Sequence, residues 1–519
     1  MDRRWAAFAG VVTAVVGLGV AELLSALLRV RVSPVLAVGE GIIEITPGAL
    51  AERAIAAVGR ADKPLLVTGV VLGVLAVSAL AGVLAARHRS AGLLLLAAQA
   101  GLAAFAAMAR PASSPYDLLP ALVAGAVSIA VLELLLRRAP LPKPHSDPAG
   151  GPDDDPRAVG GVMAVPDAGR RRFLRTAAGA VGVAGVLAVA GRWAASARSG
   201  VERARRELDL RLRAAGVPAG VQVDVPDMPA WHTPTNTFYR IDTALAVPLV
   251  DPGDWQLRIH GMVDRELVLT YDDLLARGLD DAWVTLCCVS NPVGGELVGN
   301  TRWSGVRIDE LLAEVGVSAD ADALLSTSED GWTCGTPLAE LTDGRDALLA
   351  VAMDGEPLPL EHGFPVRMVV PGLYGFVSAT KWVVDWEVSR FDRFSAYWTD
   401  RGWSARGPVK TSSRIDVPRG GTSVAAGPVA VAGVAFAQHR GIERVEIRID
   451  DGAWEPARLA DVPSTDTWVQ WVYDWEATPG EHLLTVRATD ATGELQSGAD
   501  VDVVPDGAEG WHDITVQVS

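Results

Sequence analysis

Two of the three cysteines in this 519-residue chain stand side by side in Thr285-Leu-Cys-Cys-Val-Ser-Asn-Pro-Val-Gly-Gly-Glu-Leu-Val-Gly-Asn300. Cys288 ends an apolar strand-like run and begins a glycine-rich turn, and three chemistries are open to it. It is a small buried hydrophobe, a nucleophile that needs a histidine base, or one soft ligand to a transition metal. His260 and His362 are candidate bases, and no local motif joins either of them to the thiol. An odd number of cysteines, two of them adjacent, makes no disulfide framework. No Cys-x-x-Cys-His and no cysteine-rich cluster is present, so neither covalent haem nor an iron–sulfur cluster is expected in this chain. A single thiolate ligand stays open.

A second cluster, His362-Gly-Phe-Pro-Val-Arg367-Met-Val-Val-Pro-Gly372-Leu-Tyr-Gly-Phe-Val-Ser378-Ala-Thr380-Lys381-Trp, sets fixed donors among glycine turns. Arg367 can fork onto a phosphate and Lys381 can act as a point charge. Backbone around Gly375 and Ser378–Lys381 can cradle an anion. Any one of these residues alone reads as a solvated loop. A run that sets His, Arg, Lys and several Gly between two apolar strands reads as an anion site.

The elements that must position these groups are short. Strands are expected at Trp255–His260, Trp283–Cys288, Val366–Val370 and Trp382–Val388, and helices at Tyr271–Ala276 and Ile308–Val315, the latter preceded by a loop at Trp303–Arg307. Strands and helices that alternate without repeating βαβ units argue an α+β domain. Beyond Ser412-Ser-Arg-Ile-Asp-Val-Pro418 the pattern is pure strand. Val445, Ile447 and Ile449 alternate with polar residues before the turn Asp450-Asp-Gly452, and further strands are expected at Trp468–Trp475, His482–Ala488 and Asp513–Val518. Regular short strands of this kind suggest a C-terminal all-β immunoglobulin-like sandwich with a structural or interface role.

Charge divides the chain. Residues 1–200 hold 20 Lys+Arg and 13 Asp+Glu, net +7; the rest hold 26 and 50, net −24, and the two sum to −17. So acidic a globular part argues against nucleic acid as a partner. The basic front contains apolar runs of spanning length at Trp5–Leu28, Leu65–Ala86, Ala91–Ala109 and Leu118–Leu136. Arg3/Arg4, Arg87/Arg89 and Arg137/Arg138 fall on one side, taken as cytoplasmic; Arg29, Arg31, Arg60, Lys63 and Arg110 fall on the other, so the bias is partial. The runs contain no histidine to ligate a membrane haem, and their inner acids Glu22 and Glu133 lie near enough to an end for a plain anchor.

Residues 139–169 are rich in Pro, Gly and Asp and read as a disordered cytoplasmic linker. Arg170-Arg171-Arg172-Phe173-Leu174-Arg175, followed by the small-residue run Thr176–Ala190, is a twin-arginine export pattern; the plain alternative is a stop-transfer helix with a basic inner flank. The expected organisation is a four-helix transmembrane region at 1–138, the linker at 139–169, a signal-like fifth helix at 170–195 and a charged stalk at 196–220. A catalytic domain at 221–410 and the β sandwich at 411–519 follow, with everything after the fifth helix outside the cytoplasm.

Thr-Leu-x-Cys-Val-Ser-Asn, the later Trp-Ser-Gly-Val, the His-Gly-Phe-Pro-Val-Arg…Val-Pro-Gly block and Lys-Trp together resemble the sulfite oxidase superfamily of molybdopterin enzymes. The resemblance covers roughly residues 220–515, including a tail similar to that family's dimerisation domain. It implies that Cys288 supplies the one protein thiolate to molybdenum. It also implies a pterin-binding segment at Asn236, Tyr239 and Arg240, a further position at Thr327, pterin-phosphate positions at His362 and Arg367, and a loop at Ser378, Thr380 and Lys381. Cys287 and Cys334 have no role in the pattern.

In that family an arginine shortly after the metal cysteine helps hold sulfite. Here Val293 stands in its place, which removes a charge-assisted partner worth roughly 1.5–3 kcal/mol and sets the substrate apart from the cofactor. Arg302, Arg401 and Arg406 are candidates to replace it, and Tyr397 and Arg401 fall where the family places pocket residues. The expectation is a membrane-tethered, exported oxidoreductase with molybdopterin, transferring an oxygen atom to or from a small molecule. Without haem of its own it needs an external electron partner such as a cytochrome or quinone-linked protein, and it is a possible homodimer. The alternatives are a sulfoxide reductase and an inactive binding or assembly module.

Overall fold

The computed structural model describes residues 3–28, 32–46, 61–110, 113–137, 197–208 and 216–519, with short runs or single positions at 30, 175–179, 181–182, 185, 210 and 212. It divides into two compact units, Met1–Arg198 and Ser199–Ser519. The linker at 139–169, Arg170–Arg172 and most of Thr176–Ala190 lie outside the described residues.

The first unit contains helices α1 (Arg3–Leu27), α2 (Pro34–Ile45), α3 (Asp62–Ala85), α4 (Arg89–Ala109) and α5 (Leu119–Arg137). Among the described residues, four stretches are long and apolar enough to cross a membrane: Arg3–Leu27, Asp62–Ala85, Arg89–Ala109 and Pro115–Arg137. They fall on the four apolar runs. Small residues let the helices approach closely: a methyl added to Gly10 or Gly82 would strike the facing backbone of α3 or α1. The short α2 has no counterpart in the sequence reading, because 12 residues fall below spanning length. Its Glu40 pairs with Arg110 at 2.6 Å. Glu133 is held at 3.1 Å by both Arg89 and Arg137, as expected of an acid at a helix end.

In the second unit a charged helix, α6 (Ala197–Glu207), precedes the β-rich body. Although read as a stalk, it lies against that body. Val201 is buried in the core with Phe238, and Arg205 donates to the carbonyls of Pro357 and Leu358 at 2.6–3.1 Å.

Two sheets follow. One has the order β2-β1-β10-β5-β6, from β1 (Gln256–Gly261), β2 (Leu267–Thr270), β5 (Ala323–Ser328), β6 (Thr333–Pro337) and β10 (Val383–Ser389). Its pairs are antiparallel except β1 with β10, where Arg258 faces Asp385. The other has the order β3-β4-β7-β8, with β9 on β7, from β3 (Asp280–Cys287), β4 (Val298–Arg307), β7 (Leu348–Met353), β8 (Glu356–Pro357) and β9 (Arg367–Val369). Helices α7 (Tyr271–Ala276) and α8 (Ile308–Val315) stand where the sequence placed them. Thr270 caps the first with a reciprocal bond to Asp273, and Gly316, in the left-handed region, ends the second. One mixed and one antiparallel sheet, with few, short helices, make the α+β body that the element pattern argued.

One element was misread. Trp303–Arg307 is the end of β4 and not a loop. The strand runs on through Gly305 because the backbones meet closely there, and an added methyl would strike Leu349 and Ala350 of the neighbouring strand.

The C-terminal part is two sheets on one core. Ser412–Val417, Gly427–Phe436 and Val469–Ala477 belong to one, and Ile442–Ile449, Gly480–Asp490 and His512–Val518 to the other. Val431, Ala435 and Trp471 of the first meet Val445, Ile447, Leu484 and Val486 of the second inside it.

Candidate functional site

Cys288 follows the last residue of β3, and its amide donates to Leu297 O at 2.9 Å across the glycine-rich turn. The two cysteines part company here. Cys287 is 2% exposed and lies in the apolar core, its burial pushing the thiol well up from its ordinary range. Cys288 is half-buried, with Ser290 Oγ 3.0 Å from Sγ. Burial raises its pKa, while Ser290 and the Lys381 charge oppose that rise. A thiol so placed becomes a thiolate when a cation or metal takes the charge.

The cation is near. His362, Arg367 and Lys381 are all buried on one turn-and-strand unit. Gly363, at φ 110°, makes its fold possible: an added Cβ would come within 3.0 Å of Arg367 Cβ and 3.1 Å of Lys381 Cβ. Arg367 donates to His362 O and Met368 O, both at 3.2 Å, and its guanidinium lies 4.9 Å over the Trp303 ring. Burial lowers its pKa to about 10. Lys381 is lowered to about 8, by burial first, with Asp242 opposing. Burial, then the Lys381 and Arg367 charges, lowers His362 to about 3, so the imidazole is neutral at physiological pH.

From a different segment Phe238 sets its ring against His362 at 5.9 Å and stacks on Tyr239 at 5.2 Å. Burial and the neighbouring thiols push the Tyr239 hydroxyl well up, so it is a neutral donor. Arg240 bonds Asp242 at 2.8 Å, and Asp242 in turn holds Lys381 Nζ at 3.2 Å. The structure thus brings Cys288, Tyr239, Arg240, His362, Arg367 and Lys381 into one neighbourhood.

Other expected positions sit differently. Asn236 is exposed on the turn that Thr237 and Phe238 close onto Pro234 O. Ser378 and Thr380 are fully buried, but their hydroxyls are used within the fold. Ser378 Oγ donates to Tyr374 O at 2.9 Å, while Thr380 Oγ1 meets Ser326 Oγ and, at 3.2 Å, Cys334 Sγ. What they can offer an anion is backbone. Ser326, not Thr327, packs on that loop, because side chains alternate along β5. Arg401 stacks 3.6 Å over Tyr397, and an aromatic series (Tyr397–Trp398 at 5.1 Å, Trp398–Trp403 at 6.1 Å, Trp403–Phe376 at 5.9 Å) joins that pair to the turn at Gly375 beside Cys287. Arg406 lies over Phe391, 5.1 Å from its centroid.

Sequence reasoning missed Asp242, Ser290 and Trp303. Asp242 and Ser290 each stand two residues from a recognised position, Ser290 in the turn that Asn291 N closes onto Cys288 O at 3.1 Å. Trp303 was hidden by the misread loop.

The C-terminal part closes one side. Arg414 donates to Gly295 O at 2.6 Å, the His512 ring fills the space a Gly294 side chain would need, and Gly510 leaves room for Val293. A cavity of about 350 Å³ remains between Cys287, Asn291, Val293 and Tyr374 on one side and Lys410 and Arg440 on the other. Both cations are matched, Lys410 by Asp506 and Glu509 at 2.8 and 2.9 Å, and Arg440 by Asp490 at 2.8 Å.

One half-buried thiol beside a β-rich body, with three cations and a neutral histidine drawn together, suits a cofactor that carries an anionic group. Residues 244–398 match the oxidoreductase molybdopterin binding domain. The chain is 31% identical over 181 residues to the uncharacterized oxidoreductase YuiH of Bacillus subtilis, covering 35% of this chain and 88% of that protein. It is 27% identical to the mitochondrial sulfite oxidase of Drosophila melanogaster over 51% of this chain and 55% of that one, and 30% identical to the human enzyme over 44% and 49%. It thus spans about half the length of these mitochondrial relatives. The sulfane dehydrogenase SoxCD of Paracoccus pantotrophus shares the fold, with a TM-score of 0.50 and 24% identity over 56% of this chain and 82% of that one. The chain belongs to the sulfite-oxidase-type molybdopterin oxidoreductases.

The residues fit such a cofactor. The donor set holds one soft sulfur and, grouped near it, three cations suited to a phosphate.

Proposed function

We propose that this chain is an exported, membrane-tethered oxidoreductase that transfers an oxygen atom to or from a small molecule. The molybdenum cofactor, when bound, supplies the two-electron chemistry. Cys288 is the protein's ligand to the metal, Arg367, Lys381 and Arg240 hold the phosphate end, Tyr239 donates a hydrogen bond, and His362 offers a neutral ring. Tyr397 and Arg401 line the mouth. The observation that carries this reading is the meeting of Cys288 with the buried Arg367–Lys381 pair, brought from more than 70 residues away in sequence.

Four helices of spanning character among the described residues support the tether. The C-terminal two-sheet part is read as immunoglobulin-like, and as the surface through which two copies pair. With no haem ligands among the expected residues, an external one-electron carrier such as a cytochrome or quinone-linked protein completes the cycle.

Val293 favours sulfoxide reduction as the second reading. Where a cation would grip a dianion, an apolar side chain packs beneath Gly510, and the nearby Lys410 and Arg440 are already matched. The test is metal analysis with turnover. Purified chain should carry molybdenum, and Cys288→Ala should lose at least about 10²-fold in turnover. Activity on sulfite alone would sink the second reading. A chain without molybdenum, unaltered by Cys288→Ala, would leave only a binding module.

A further inference from the structure

Lys381 and Arg240 come from segments about 140 residues apart in sequence, yet both close on one carboxylate. Asp242 is 6% exposed, and its Oδ2 accepts from Arg240 Nε at 2.8 Å and from Lys381 Nζ at 3.2 Å. Its Oδ1 accepts from Arg240 Nη2 at 3.4 Å. Lys381 Nζ makes a further bond to Glu361 O at 3.1 Å. An ammonium has three donors. Two of these go to protein oxygens, which fix its direction and leave one donor for an incoming anion.

Physically the carboxylate does two things. It lies between the buried Lys381 ammonium and the more exposed Arg240 guanidinium, which would otherwise repel, and it opposes the loss of the lysine proton that burial promotes. Arg367 is treated differently: it donates to the carbonyls of His362 and Met368 and lays its face on Trp303, so its position does not depend on that carboxylate.

We infer that Asp242 is the positioning residue of this site: its carboxylate presets Lys381 and Arg240 as one charged pair for the phosphate of the pterin. Preorganisation of this kind lowers the cost of ordering two long side chains when the anion arrives. The inference rests on the function proposed above.

The test uses the full chain in detergent, with and without cofactor. On the cofactor-free chain, the pH midpoint for acetylation of Lys381 by acetic anhydride is read by peptide mass spectrometry. It should lie at about 8 in the natural protein. In Asp242→Asn it should fall by about 1–3 pH units. Molybdenum per chain, from a host that makes the cofactor, should fall about tenfold. Asp242→Glu keeps the charge but moves it, so the midpoint should hold while molybdenum falls; this variant carries the test if the asparagine chain does not fold. An unchanged midpoint in a folded Asp242→Asn chain, or unchanged molybdenum in Asp242→Glu, overturns the inference. Natural protein without molybdenum would sink the proposed function instead, and the Lys381 midpoint would still test Asp242.

Discussion

At the scale of residues the site is a problem of charge in a dry place. His362 shows how it is solved. Burial and two neighbouring cations hold it neutral, its pKa down at about 3 against an ordinary 6.5. The sign follows from linkage: the unfolded chain takes up a proton below 6.5 that the folded chain refuses, so stability falls as pH drops through that window. Between pH 7 and pH 5 this one group should cost about 2 kcal/mol. Urea unfolding of the cofactor-free chain at both pH values checks it. His362→Gln should lose that much less stability over the same interval, and equal losses in both chains would mean that the imidazole is charged in the fold. Residue types made this site legible. His, Arg and Lys among glycines read as an anion site, and the family resemblance selected Cys288 over Cys287. Asp242 did not stand out, because its meaning lies in a contact with Lys381 139 residues away.

Elements explain why Cys288 stays where it is. β3 is an edge strand of its sheet, and an edge needs a partner or a cover. The cover comes from far along the chain. Thr285 N donates to Asp466 O at 2.9 Å, Trp468 N donates to Thr285 Oγ1 at 2.8 Å, and Gln438 Nε2 donates to Thr285 O at 3.0 Å. Thr285 Oγ1 in turn donates to Asn300 Oδ1 at 3.0 Å, and Asn300 reaches Trp231 O at 3.2 Å. Thr285 is 1% exposed, so its hydroxyl joins two buried partners at once. Thr285→Val keeps the shape and strands both, which should cost about 2–4 kcal/mol. Chemical denaturation measures it; a loss under about 0.5 kcal/mol, the level of a neutral surface change, would mean that the clasp contributes nothing. The strand itself was legible, through its apolar run and β-branched residues, as were α7 and α8 through their periodicity. Its cover was not. A tail that reads from its alternation as a self-contained sandwich gives no sign that residues 438–468 also cover the edge of the sheet that leads to Cys288. Nor does the sequence show that Gly294 leaves room for the His512 ring or that the Gly295 carbonyl accepts from Arg414.

At the scale of the whole molecule the clasp bears on how the protein reaches its destination. The strand that carries Cys288 is complete only when residues 466–468 have folded against it. A cofactor inserted in the cytoplasm therefore favours export of a folded body over export of an unfolded thread. Under the proposed function, Arg170-Arg171-Arg172-Phe173-Leu174 supplies a pattern suited to that route, and the sequence divides into a net +7 front and a net −24 back. The rival is an ordinary stop-transfer helix, and charge can decide between them. A stop-transfer helix responds to positive charge as such, whereas a receptor-read signal responds to the guanidinium, which lysine does not replace. Arg170→Lys together with Arg171→Lys conserves charge and leaves Thr176–Ala190 unaltered. In this double variant residues 221–519 should stay inside, protected from protease added to intact cells, while molybdenum content is kept because the folded site is untouched. Protease access equal to that of the natural chain would show that charge alone carries the body across.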